Sequence, residues 1–204
     1  LGVVADVLPA TDDSLRTMVA TADGDLEFQR YFVERRCGPV VKAIDFAGAG
    51  SARMTPEVTA CLQSESLRLI VICPSNPYLS VDPILAVPGM RQALRAAHAP
   101  IVAVSPIIAG QAVKGPTKKI MDELQIAPTN RSIARHYRDL IDGLVIDAGD
   151  AEDATGLECA VRAAPTLMTD FAAKTRLAEE VLSFGESLVA RGQGNRTATA
   201  RGVR

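Results

Sequence analysis

The chain predicts an α/β fold built on a mainly parallel sheet, and three observations carry that expectation. Leu69 to Cys73 is an unbroken apolar run that leads straight into Pro74-Ser75-Asn76-Pro77. A run without polar alternation suits a strand covered on both faces, and sheets of that kind bind ligands just beyond their carboxyl ends. The arrangement recurs, since Ile101 to Val104 ends in Ser105-Pro106 and continues through Gly110, Lys114, Gly115 and Pro116. Strand-like and helix-like segments then alternate along most of the chain, which is the pattern of parallel strands joined by helices.

Taken in order, Leu1 to Leu8 has strand character, and Pro9 to Asp13 is a polar turn. Leu15 to Thr21, a turn over Ala22 to Asp25, and Leu26 to Phe28 read as a β-hairpin excursion from the parallel sheet. Gln29 to Arg36 has helical character ended by Gly38-Pro39, and Val40 to Phe46 is a strand. Thr55 and Pro56 form a helix start, with threonine as cap and proline at the first position. After the Leu69 strand come a helix from Pro88 to Ala97, the Ile101 strand, and a helix over Thr117 to Leu124. Lys118 and Lys119 stand near the start of that last helix, where they oppose its dipole, a placement that an anion nearby would relieve. Ser132 to Asp139 is a helix, Leu144 to Asp147 a strand, Asp150 to Leu157 a short helix and Cys159 to Ala163 a strand. A long amphipathic helix starts at Thr169-Asp170 and runs to about Leu188. The whole reads as a three-layer, Rossmann-like core over residues 1–190. A disordered basic tail is expected over 191–204, with four arginines and no acid.

Bulk properties exclude several classes. Nearly half of the 204 residues are hydrophobic, so a folded core is expected. A formal net charge of −2 gives no general attraction to nucleic acid or anionic lipid. No apolar run approaches the roughly 20 residues that span a bilayer. Cys37, Cys61, Cys73 and Cys159 include no CxxC pair, which argues against a zinc site and a disulfide scaffold and suits reduced thiols in a cytoplasmic protein. His98 and His136 are far apart with no ligand cluster beside either, so each reads as a packing or surface residue. The chain begins in mid-strand character, as the interior of a longer protein would.

The candidate site lies in the two bends. Backbone N–H groups in the Gly110 to Gly115 turn can converge on an anion, with Lys114 as a mobile positive charge. The plainer alternative is a pair of ordinary strand-to-helix connections with capping serines. The segment is not a Walker loop, because the Gly-Lys-Ser/Thr ending is missing.

Three longer blocks go further: ICPSNPYLSVDPILAVPGMRQAL, APIVAVSPIIAGQAVKGPTKKIMDEL and ARHYRDLIDGLVIDAGDAED. Together with LPATDDSLRTMVATADGDLEFQRYFVERR and APTLMTD they resemble the 2-phospho-L-lactate transferase family of coenzyme F(420) biosynthesis, nearly throughout the chain as far as Phe184. The resemblance implies a magnesium-dependent transfer in which a phospholactyl (or phosphoenolpyruvyl) group moves from a guanosine diphosphate-linked donor to the hydroxyl of a deazaflavin precursor, and GMP leaves. It places Ser75, Asn76 and Ser80 on the wall of the ligand cleft, and Ser105, Gly110, Lys114 and Gly115 facing the diphosphate. Asp12 and Asp13 are its candidates for holding Mg2+, against the alternative of a solvated turn. The implied partners are donor and acceptor, with neither nucleic acid nor membrane, and a homodimer is the expected assembly. Against the family's pattern the glycine-rich phosphate loop and a Gly-Asp-Asp segment are missing, so the chain reads as the family's carboxyl-terminal two-thirds with an unpaired sheet edge. Two other readings stay open: a nucleotide-sugar-binding regulator of the gluconeogenesis-factor type, and an inactive truncated remnant.

Overall fold

A computed structural model describes residues 4–112 and 115–200, with side chains as far as residue 189. The chain divides into two compact units, one of Leu1–Leu67 with Tyr78–Ala97 and the other of Arg68–Pro77 with His98–Arg204.

The first unit is built on an antiparallel sheet. Strands β1 (Arg16–Thr21), β2 (Gly24–Glu27) and β3 (Val41–Ala47) lie in the order β2-β1-β3. The hairpin turn is tight because Thr21 pairs directly with Gly24, whose φ of 111° only glycine adopts readily. The Thr21 hydroxyl fastens the turn, donating to the Gly24 carbonyl and accepting from Asp23 N–H. Val19, Leu26, Tyr31 and Val41 fill the buried side. The helix expected over Gln29 to Arg36 shrinks to a π-type turn at Arg30–Glu34. Arg36 and Cys37 then take left-handed backbone, and Cys37 N–H returns to the Tyr31 carbonyl at 3.0 Å. Helices α1 (Pro56–Gln63), α2 (Asp82–Leu85) and α3 (Met90–Ala96) complete the unit. Thr55 caps α1 as expected, accepting from Val58 N–H, and its hydroxyl also donates to the Pro9 carbonyl. The helix expected from Pro88 starts at Met90, because Gly89 is left-handed. The strand expected at the amino end does not form over residues 4–8, where Val4 is 99% exposed. An apolar run becomes a strand only with a ladder partner, and among the described residues none pairs with this one.

The second unit holds the parallel sheet. Its strands are β4 (Ile70–Ile72), β5 (Ile101–Val104), the small hairpin β6 (Ile107–Ile108) with β7 (Gln111–Ala112), then β8 (Gly143–Asp147) and β9 (Ala160–Ala164). The four longer strands pair in parallel, in the order β4-β5-β8-β9. The helices are α4 (Thr117–Glu123), α5 (Asn130–His136) and α6 (Phe171–Ala200), with a 3-10 segment at Ala148–Ala154 where a short α-helix was expected. Thr129 caps α5 and the Asp170 carboxylate caps α6, each accepting from a backbone N–H three residues on. Helix α6 runs on past its expected end near Leu188 to Ala200, and of the tail expected over 191–204 only residues 201–204 lie outside the described residues.

The core of this unit is the stripe Leu177, Val181 and Phe184 of α6 laid on Val102, Val104, Val145 and Ala164. Each such side chain contributes about 1.5–3 kcal/mol by leaving water. Gly143 lets the Phe184 ring approach closely, since a Cβ there would stand 2.7 Å from a ring carbon. All four residues of β5 are buried, as a central parallel strand requires.

The run at Leu69 to Cys73 departs from expectation. The sequence predicts burial on both faces, yet among the described residues β4 stands at the edge of the sheet, Val71 is 39% exposed, and Cys73 beyond it is exposed as well. The composition of an apolar run does not report its place in the sheet order, and among the described residues β4 pairs with β5 alone.

Candidate functional site

Register decides which residues can meet. Ile72 stands opposite Ala103, Val104 opposite Val145, and Asp147 opposite Ala164, so the four parallel strands end at one carboxyl edge. Ser75 and Asn76 follow β4, Ser105 follows β5, and Asp147 closes β8. Both serine-bearing bends therefore leave the same edge of the same sheet from neighbouring strands.

The bends are held differently. Ser105 is 2% exposed, its N–H donates to the Val145 carbonyl, and its hydroxyl oxygen accepts from Ile107 N–H at 3.2 Å. That hydroxyl shapes the chain as it enters the β6–β7 hairpin. Ser75 and Asn76 are half-buried. The hairpin pairs Ile108 with Gln111, and its two turn residues, Ala109 (φ 49°) and Gly110 (φ 67°), are both left-handed, the signature of a type I′ turn. Gly115 is left-handed too, at φ 71°. A Cβ at Gly110 or Gly115 would meet nothing within 4 Å, so both glycines border open space. Lys114 lies outside the described residues. The dipole conflict anticipated for Lys118 and Lys119 is resolved within α4, where they pair with Asp122 (2.7 Å) and Glu123 (2.5 Å) one turn on.

Sequence reasoning passed over the acids at this edge. Burial opposes ionisation of Asp147, but N–H bonds from Thr166 and Gly149 and the Thr166 hydroxyl outweigh it, and its carboxyl titrates below the ordinary aspartate value. It ties the loops after β8 and β9 together. The available signal was the position itself, a carboxylate as the last residue of a buried strand.

The remaining candidates belong to the other unit. Ser80 is exposed there, beside the buried Tyr78, whose phenol is pushed up to about 12 by burial and by Asp82. Asp12 and Asp13 are exposed. Asp13 Oδ2 accepts from Arg53 N–H at 2.9 Å and lies 3.9 Å from the Arg53 guanidinium. Magnesium usually takes only one or two carboxylates, with waters and phosphates completing its octahedron, so this pair would supply part of a shell at most. Among the described residues no cluster of three or more His, Cys, Asp or Glu side chains could hold a metal.

An open parallel sheet with glycine turns at its carboxyl edge defines an α/β ligand-binding class. The comparisons narrow it: the profile of the family described as 2-phospho-L-lactate transferase CofD matches residues 1–183, and the chain belongs to that family. The sequence is 36% identical over 184 residues to the 2-phospho-L-lactate transferase of Methanosarcina mazei, covering 89% of this chain and 59% of that protein. It is 37% identical over 192 residues to a phosphoenolpyruvate transferase of Streptomyces griseus, with the same two coverages. The chain thus spans about three-fifths of the length of these relatives. In fold it is similar to a Bacillus halodurans protein of the UPF0052 family, with a TM-score of 0.59 at 20% identity over 87% of this chain and 63% of the other. Among the described residues no helix is long and apolar enough to cross a membrane.

Proposed function

We propose that the protein acts in coenzyme F(420) biosynthesis as a transferase of a phospholactyl or phosphoenolpyruvyl group. The donor is a guanosine diphosphate-linked molecule and the acceptor a hydroxyl on a deazaflavin precursor. The acceptor oxygen attacks the phosphorus next to the lactyl or enolpyruvyl group. The bond from that phosphorus to the bridging oxygen breaks, GMP leaves with the bridging oxygen, and the acceptor's proton passes to solvent.

What supports this reading most is the placement of two bends, after β4 and β5, at one carboxyl edge within a chain of this family. In-line phosphoryl transfer is mostly positioning and charge neutralisation, so glycine-containing turns at a sheet's carboxyl edge suit it better than a strong acid or base would. In this reading Ser75 and Asn76 bind substrate, and the turn from Ser105 through Gly110, Lys114 and Gly115 receives the diphosphate; Ser80, in the other unit, stays a candidate from the family resemblance alone. Magnesium belongs to the proposal and supplies charge neutralisation of the phosphate oxygens when bound. Asp12 and Asp13 stay the candidates for holding it, and no step above is assigned to them.

The test is incubation of the purified chain with the lactyl-linked and the enolpyruvyl-linked donor in turn, each with deazaflavin precursor and magnesium. The proposal predicts GMP and a phosphorylated deazaflavin in equal amounts, measured by chromatography and mass spectrometry. A folded chain that releases no GMP and binds no GDP contradicts it.

A further inference from the structure

The tip of the β6–β7 hairpin contains a conformational anomaly with an identifiable support. Gly110 takes its φ of 67° without penalty, but Ala109 at φ 49° occupies a left-handed region that residues with a Cβ adopt uncommonly and at some cost. That support is Asp150, which lies 41 residues further along the chain. Both of its carboxylate oxygens accept from Ala109 N–H, at 2.9 and 3.1 Å. In a two-residue hairpin this N–H has no ladder partner, so the carboxylate meets a donor that the hairpin leaves unused.

Asp150 is itself braced. Asn130 opens α5 and is 0% exposed. Its amide nitrogen donates to Asp153 at 3.0 Å and reaches Asp150 at 3.5 Å. Its amide oxygen is buried without a hydrogen-bond partner among the described residues. A buried acceptor left unmet is uncommon and marks a position where some other requirement outweighs the lost bond. The hydrogen bonds run from α5 through Asn130 and Asp150 to the hairpin tip, all within one compact unit.

We propose that Asp150 is a positioning residue for the ligand-binding turn. By holding Ala109 N–H from one side, it fixes the left-handed pair Ala109-Gly110 and keeps the open side of Gly110 available to the donor's diphosphate. The inference rests on the functional reading above, in which that turn faces the diphosphate. Asp150 does not touch the reacting atoms, and its effect passes through the backbone of Ala109.

The experiment compares the whole chain with D150N and D150A, using GDP as probe in calorimetric titration and amide hydrogen exchange as a local readout. In D150A the Ala109 amide is expected to exchange about tenfold faster or more, and GDP affinity to fall about tenfold, the range set by losing a charge-assisted hydrogen bond. Amides of β8 should keep their protection. D150N retains one acceptor oxygen and should fall between the two, and it serves in place of D150A if that variant does not fold. A merely structural Asp150 would lower protection in β8 and the hairpin alike, and that result overturns the inference. Unchanged GDP affinity in a D150A chain with a loosened Ala109 amide overturns it too. A wild-type chain that binds no GDP overturns the functional reading first, and this inference falls with it.

Discussion

The bends after β4 and β5 look alike in sequence, each an apolar run followed by serine and proline, yet they sit in opposite mechanical settings. β5 lies between two strands, every residue of it is buried, and Ser105 uses its hydroxyl to shape its own loop. Among the described residues β4 has one neighbour, exposes Val71, and delivers Ser75 and Asn76 half-buried. One bend is a fixed frame and the other an accessible wall.

Substitutions at paired positions can break or sharpen this contrast. The largest difference is expected between Val102→Asp and Val71→Asp. The first buries an unpaired charge and should cost about 4 kcal/mol or more, whereas the second, on the open edge, should stay within about 1 kcal/mol in urea unfolding. Next come the glycines. Gly143→Ala forces a methyl against Phe184 and should cost about 1–3 kcal/mol by overpacking. Gly110→Ala meets no atoms, so only the left-handed backbone opposes it, at about 1 kcal/mol.

The serines should separate stability from binding. Ser105→Ala removes a buried acceptor from Ile107 N–H and should lower stability by about 1 kcal/mol. Ser75→Ala should leave stability within about 0.5 kcal/mol of wild type while weakening GDP binding. Equal effects of the two on unfolding would erase the distinction between frame and wall. The smallest effect is a pH dependence. The Asp147 carboxyl titrates below its unfolded value, so its contribution is present above the ordinary aspartate range and is lost as pH falls through the lowered folded value. Urea titrations of wild type and Asp147→Asn should therefore differ at neutral pH and converge in acid.

Much of this was legible in the residues. The runs at Ile101 and Leu144 predict buried parallel strands, and the structure has them, because both land between paired strands and are covered on both faces. Thr55-Pro56 locates α1 by local capping chemistry alone. The Leu69 run misled because hydrophobicity reports a preference for burial, not a rank in sheet order. The β6–β7 hairpin was hidden because its strands are two residues each, too short for any alternation to show. Asp150 escaped notice for a different reason: its partner Ala109 is an alanine in a conformation that alanine rarely signals, and the two meet only through folding. The family resemblance supplied the chemistry that none of these patterns contains.

The most direct test of the central claim is a GDP titration of isotopically labelled protein followed through backbone amide signals. The account predicts that Ser75 and Asn76 after β4 shift together with Ala109 and Gly110 in the turn after β5, along one binding curve. Shifts confined to one bend, or two curves of different affinity, would contradict a single anionic ligand held by both.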